Sequence, residues 1–228
     1  MNSAIIVAAG SSQRMGFDKL MAPLCGWPVV VHSLDRFERS EVVDEVVLVV
    51  RPEREPEFAK IIRDHNFRKI TQIVPGGTER HFSVWNGIAV LSTDFRLVAV
   101  HDAARPLVSL RLISEAFKLA SEQGAVSLAA PVVETLKRVG SDYRVTERVD
   151  RANLWGMQTP QVFRLDWLRE AYQRLIDTGR SVTDEVSALQ EAGFPVQLMF
   201  NPDWNVKITF PRDLELAEKL IKLDDMNY

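Results

Sequence analysis

Short apolar runs alternate along this chain with longer stretches whose apolar residues recur every three or four positions. Runs at 4–8, 45–50, 70–74, 97–102, 126–132 and 196–200 predict buried strands, the second closed by Arg51-Pro52 and the third by Pro75-Gly76-Gly77. Helical spacing places Val30, Val31, Leu34 and Phe37 on one face of 28–37, and Phe58, Ile61 and Ile62 on one face of 55–66. Val84, Ile88 and Leu91 share a stripe of 78–91, a helix that Thr78 is placed to cap. Further helices are predicted over 110–123, 165–177 and 182–191, and from Pro211 onward, with proline near the start. Strands alternating with helices in this way predict an α/β fold, its sheet mostly parallel and covered on both faces.

The rhythm breaks over 134–153. Two roughly alternating halves flank Gly140-Ser141-Asp142, which predicts a β-hairpin projecting from the α/β core. A two-stranded ribbon is marginal by itself, so either a partner subunit or the parent sheet has to cover it. The segment 205–209 reads as a short exposed strand or extended stretch.

A chain of 228 residues can bury a substantial core, and one domain is the expectation, with 134–153 as its arm. The net charge of −3 argues against non-specific nucleic-acid binding but leaves small phosphorylated ligands open, because these need only a local cluster of cations. One cysteine, Cys25, excludes an intrachain disulfide and a thiolate metal cage. No apolar run approaches the length of a membrane span, and a cytoplasmic protein with no membrane partner is expected.

Ligands of parallel sheets bind beyond the carboxyl ends of the strands. Four polar clusters fall there: Gly10 to Lys19, Gly76 to Arg80, His101 to Arg105, and Asn205 with Lys207 and Thr209. Arg151 and Thr183-Asp184-Glu185 can join them from loops or helix ends. The first loop lacks the G-x-G-x-x-G of dinucleotide folds, and Phe17 follows Gly16 where a P-loop carries lysine. It still offers backbone donors with Arg14 and Lys19, a combination suited to neutralising charge at a phosphorus and its leaving group. Asp102 ends an apolar strand, where a lone carboxylate would be costly; it partners either a divalent ion or ligand group, or Arg105. His101 reads as a packed, hydrogen-bonded residue. Gly76-Gly77 reads either as a tight turn or as a close approach to a base or ribose. Arg105, Arg151 and Lys207 exceed what one triphosphate needs and so imply a second anionic substrate. No hydroxyl, thiol or histidine stands as an activated nucleophile, so direct attack by a substrate group is the simpler chemistry.

Taken together, Ala8-Ala9-Gly10-Ser11-Ser12-Gln13-Arg14-Met15-Gly16 with Lys19, Gly76-Gly77-Thr78-Glu79-Arg80 with Ser83, and His101-Asp102-Ala103-Ala104-Arg105-Pro106 form a recognisable series. It continues through Thr135 and Lys137, Val149-Asp150-Arg151, Thr159-Pro160-Gln161, Thr183-Asp184-Glu185-Val186 and Asn205-Val206-Lys207-Ile208-Thr209. In this order, over nearly the whole chain, these pieces resemble the 2-C-methyl-D-erythritol 4-phosphate cytidylyltransferases of non-mevalonate isoprenoid biosynthesis. The resemblance implies a Rossmann-like, three-layer nucleotide-diphospho-sugar transferase fold and Mg²⁺-dependent transfer of CMP from CTP to a polyol phosphate. It implies that Arg14 and Lys19 stabilise the transition state and the leaving pyrophosphate, while Arg151 and Lys207 position the attacking phosphate. Ala8 to Ser12, Gly76, Gly77, Arg80, Ser83, Asp102 and Ala103 would surround the nucleotide. Asp102, Thr159 and Thr183 would meet the acceptor, and Arg105 and Thr135 would reach the acceptor pocket of a neighbouring subunit in a homodimer joined by the arm. Asp18 departs from the pattern, which usually has proline there, and puts a carboxylate beside Lys19 that is able to tether it or to weaken its electrostatic contribution. A ribitol 5-phosphate cytidylyltransferase shares most of these pieces. A catalytically inert CTP-binding or scaffolding protein is the alternative of another class, against which the retained Arg14, Lys19, Arg151 and Lys207 all count.

Overall fold

Residues alternate between two cores within single strands, which is why the strands read as unbroken apolar runs. The computed structural model describes residues 1–226. In β1 (Asn2–Val7), Ala4 and Ile6 face one core and Ile5 the other. In β2 (Glu45–Val50), Val46, Leu48 and Val50 oppose Val47 and Val49 in the same way. The first core is closed by α1 (Val29–Arg39), α2 (Glu55–Asp64), α4 (Leu110–Gln123) and α7 (Pro211–Met226). The second is closed by α3 (Arg80–Ala89), α5 (Leu165–Thr178) and α6 (Glu185–Glu191). This is the predicted α/β arrangement of a sheet between two helical layers.

The remaining strands of the main sheet are β3 (Ile70–Pro75), β4 (Leu97–Asp102), β5 (Ala125–Pro131), β6 (Trp155–Arg164) and β7 (Gln197–Phe200). They are ordered β7-β5-β6-β4-β1-β2-β3. Every pairing is parallel except those of β6, which runs antiparallel between β4 and β5. The sequence reading has no strand at β6, because Pro160 interrupts the run and proline removes a ladder donor. The sheet accommodates it with a register irregularity between Met157 and Gln161.

Other boundaries shift for local reasons. α3 begins at Arg80, and Glu79, in extended backbone, takes the cap position without a side-chain bond, so Thr78 is no cap. α6 begins at Glu185, because Asp184 accepts a hydrogen bond from Ser187 N at 3.0 Å and caps it there. The segment 205–209 is neither exposed nor a strand. Asn205 and Ile208 are buried, and Ile208 N donates to Ala104 O at 2.8 Å.

The predicted hairpin is present as a ribbon of Lys137–Val139 and Val145–Arg148. It stands open to solvent: Tyr143 is 89% exposed, and Val139 and Val145 are exposed as well. No helix among the described residues is long and apolar enough to cross a membrane.

Candidate active site

Register brings the polar loops to one place. Val7 lies opposite Asp102 and Val50 opposite Pro75, so the loops after β1, β4 and β3 leave the sheet at the same edge. β1 and β4 flank the point where strand order reverses, the usual site for ligands in open parallel sheets. A cavity of about 290 Å³ opens there, walled by Ala8 to Ser11, Lys19, Gly77 to Arg80, Ser83, Asp102 and Lys207. A larger depression of about 1000 Å³ lies where β1 and β4 begin, at the opposite end of the sheet. Its Arg164 and Asp166 neutralise each other, and it lacks the loops that follow the strands.

Asp102 is the electrostatic centre of the smaller cavity. Its Oδ2 lies 2.7 Å from Lys207 Nζ and 3.7 Å from Arg105 Nε, and its Oδ1 lies 3.4 Å from an Arg80 Nη. Burial alone would raise its pKa; Arg80, Lys207 and Arg105 outweigh that and hold the carboxyl well below the usual carboxylate range. Of the two partners expected for Asp102, Arg105 is therefore present, joined by Lys207 and Arg80.

The loop after β1 returns Lys19 to this centre. Its Nζ donates to Ile208 O at 2.8 Å, so the first loop and the late Asn205–Thr209 segment meet at one ammonium. Burial, then the neighbouring Lys207, push the Lys19 pKa down to about 8, with Asp102 opposing. Asp18 does not tether it. That carboxylate is ion-paired with Arg54 and accepts from Leu20 N at 2.9 Å.

His101 is fully buried, and burial lowers its pKa to about 4, so the ring is neutral at pH 7. Because the Arg105 carbonyl can only accept, Nε2 carries the proton and donates to it at 3.1 Å. Nδ1 then accepts from the Thr159 hydroxyl at 3.2 Å, and that oxygen in turn accepts from Asp102 N at 3.0 Å. Thr159 is thus a buried brace for the backbone of Asp102. Arg105 is buried and donates from Nη1 to Asn205 O at 2.7 Å, holding the late segment in place.

The two glycines are required by the protein itself. A Cβ on Gly76 would stand 2.3 Å from the Cβ of Ala9, and one on Gly77 would stand 2.3 Å from that of Phe82. Gly76 is thus packed against the first loop, and Gly77 against the first turn of α3. Ser83 Oγ accepts from Gly77 N at 3.0 Å and donates to Glu79 O at 3.2 Å, which shapes the turn.

Other expected residues stand outside the cavity. Arg14 is exposed, 5.8 Å from the ring of Phe210, and Arg151 is exposed and donates to Val133 O. Thr135 and Thr183 are exposed, Ala103 is buried behind the wall, and Ser12 supports the loop from a left-handed conformation (φ 54°). Glu185, which the sequence offers only together with Thr183 and Asp184, is fully buried against Arg80. Its signal was its position: it shares a helical face with Ala188 and Leu189, where a carboxylate needs an internal partner. Tyr172, which donates to Glu185 at 3.0 Å, gave no signal beyond its place in an apolar stripe.

Two lysines, an arginine and a braced carboxylate at the switch point of a parallel sheet define a transferase-like site for a nucleotide and a second anion. Residues 2–223 match the family described as 2-C-methyl-D-erythritol 4-phosphate cytidylyltransferase, and the chain belongs to that family. The enzyme of that name from Pelotomaculum thermopropionicum is 40% identical, with 96% of this chain and 94% of that protein covered. The one from Alkaliphilus oremlandii is 39% identical over the same shares. The crystal structure of 4-diphosphocytidyl-2C-methyl-D-erythritol synthase from Anaerococcus prevotii superposes with a TM-score of 0.83 at 26% identity, covering 97% of this chain and 96% of that one. The cytidylyltransferase from Thermus thermophilus gives 0.80 at 28% identity, covering 96% and 98%.

Proposed function

We propose that this protein transfers CMP from CTP to 2-C-methyl-D-erythritol 4-phosphate, releasing pyrophosphate. The observation that carries this reading is the meeting of Lys19, Lys207 and Asp102 on the wall of one cavity, beside the Ala8–Ser11 loop. Two anions repel, and a site that pairs each with its own cation turns repulsion into alignment. A phosphate oxygen of the acceptor attacks the α-phosphorus as the bond to the β-phosphate oxygen breaks. Lys19, joined by Arg14, takes up charge on the leaving pyrophosphate; Lys207, joined by Arg151, holds the attacking phosphate. Ala8 to Ser11, Gly77, Arg80 and Ser83 surround the nucleotide, and Thr183 adds a contact to the acceptor.

Among the described residues no three His, Cys, Asp or Glu side chains gather as a metal cage. Asp102 and Glu79 are the carboxylates on the cavity wall. That donor set fits Mg²⁺ arriving with the triphosphate, since this ion commonly takes one or two carboxylates and fills its remaining positions with phosphate and water. Asp102 would hold it, and the ion would supply neutralisation of phosphate charge. The uncovered 134–153 arm fits a second copy of the chain, with Thr135 completing the neighbour's acceptor pocket.

Purified protein incubated with CTP, Mg²⁺ and one polyol phosphate at a time is expected to release pyrophosphate fastest with 2-C-methyl-D-erythritol 4-phosphate. Preference for ribitol 5-phosphate would overturn the acceptor, and release with neither would favour an inert CTP-binding protein.

Lys19 also predicts a proton linkage. An anion beside the ammonium favours its charged form, so the bound pKa lies above the free value of about 8. Below that pH the group is already charged and affinity is flat on its account. Above it, CTP binding takes up a proton and affinity falls by up to about tenfold per pH unit. Calorimetry at pH 8.5 to 9 in buffers of differing ionisation enthalpy should read this uptake, and Lys19→Met should abolish it. Uptake that persists in the variant would assign it to another group.

A further inference from the structure

Glu185 is wholly shielded from solvent, and no step of the transfer uses it. Its Oε1 accepts from Arg80 Nη1 at 2.6 Å and from the Tyr172 hydroxyl at 3.0 Å, while Oε2 accepts from Arg80 Nη2 at 3.0 Å. Two parallel bonds from one guanidinium to one carboxylate fix its plane as well as its position. The cap made by Asp184 sets where Glu185 enters α6, and Ser181 Oγ, earlier in the same loop, bonds Glu79 Oε2 at 3.0 Å. The first residue of α6 and the loop before it therefore grip the start of α3 at two successive residues, Arg80 and Glu79.

Held in this way, Arg80 stands on the cavity wall yet only 3.4 Å from Asp102 Oδ1, a long contact for a charged pair. Asp102 keeps its short contact, 2.7 Å, for Lys207. If Glu185 lost its charge, Asp102 would be the remaining carboxylate beside Arg80. The guanidinium would be drawn off the nucleotide wall and onto the carboxylate that anchors Lys207.

Resting on the cytidylyltransferase reading, we propose that Glu185, seated by Tyr172, is a positioning residue. It fixes Arg80 against the nucleotide and keeps it from competing with Lys207 for Asp102. The test is CTP binding by titration calorimetry and steady-state kinetics on Glu185→Gln, Arg80→Gln, the double variant and Tyr172→Phe, each checked for folding by thermal melting. Glu185→Gln is expected to weaken CTP binding and raise its KM about tenfold to a hundredfold, the loss typical when a partner that orients a ligand-contacting group is removed. The kcat should change much less. In the Arg80→Gln background the same substitution should add less than about twofold, because residues acting through one another are not additive.

Unchanged CTP affinity in Glu185→Gln, or an equal loss in both backgrounds, overturns the proposal. If Glu185→Gln does not fold, Tyr172→Phe decides. It leaves the ion pair, removes one hydrogen bond and should weaken CTP binding by about threefold; a folded Tyr172→Phe with unchanged affinity also overturns the proposal. Failure of the wild-type protein to bind CTP would instead refute the cytidylyltransferase reading itself.

Discussion

Lys19→Met should lower kcat by about a hundredfold to a thousandfold, the range seen when one preorganised donor to developing negative charge is removed. The substitution keeps an unbranched apolar stem and deletes only the ammonium. The KM for CTP should move less than kcat, because charge on the leaving pyrophosphate grows toward the transition state. The ammonium is half-buried between the first loop and Ile208, where water screens it poorly. Folding should tolerate the change: one bond to the Ile208 carbonyl is lost, worth about 1 kcal/mol. A thermal melt separates that cost from catalysis. A kcat within tenfold of the parent would show that Lys19 does not face the leaving group.

Lys207→Ala should act on the other substrate. Loss of a charged hydrogen-bond donor removes about 1.5 to 3 kcal/mol, or roughly tenfold to a hundredfold, from capture of the acceptor phosphate. The KM for the polyol phosphate should rise by that factor, with CTP affinity within about threefold. Removing Lys207 also relieves its repulsion of Lys19, so the Lys19 pKa should move up from about 8 and carry the alkaline limit of CTP binding with it. Equal losses for both substrates would mean that Lys207 serves the triphosphate as well.

These predictions rest on residues that the sequence exposed unevenly. β1, β2 and β4 were legible because both faces of their centres are buried and those central positions, 4–6, 46–50 and 97–100, are all apolar. β6 was not, because Pro160 contradicts a strand locally and only pairing with β4 and β5 rescues it. Lys19, Lys207 and Asp102 were found as members of polar clusters beyond strand ends, and the fold does bring them together. Gly76 and Gly77 were also found, but the bodies that demand them, Ala9 and Phe82, belong to the protein and not to a ligand. The family resemblance gave Arg105 and Thr159 roles toward the acceptor; within this chain each also bonds a backbone group, Asn205 O and Asp102 N, and such partners are set by the fold. Asp18 looked like a tether for Lys19 because the two are adjacent in sequence. Adjacent side chains need not meet, and Arg54 claims the carboxylate from across the fold.

By itself the sequence determined the layering of the molecule, the projecting hairpin and the anionic character of its substrates. The period of apolar residues and the local concentration of cations are properties of short segments, and they survive any arrangement of those segments. Only the tertiary structure decided which charges face each other. Lys207 reaches Asp102, Lys19 reaches Ile208 and Arg80 reaches Glu185 across long stretches of chain. Each pairing exists because the ends of β1, β3 and β4, the start of α6 and the Asn205–Thr209 segment converge at one edge of the sheet. Hydrogen bonds act over about 3 Å and ion pairs are strong only at contact distance, so no spacing along the chain could have named those partners.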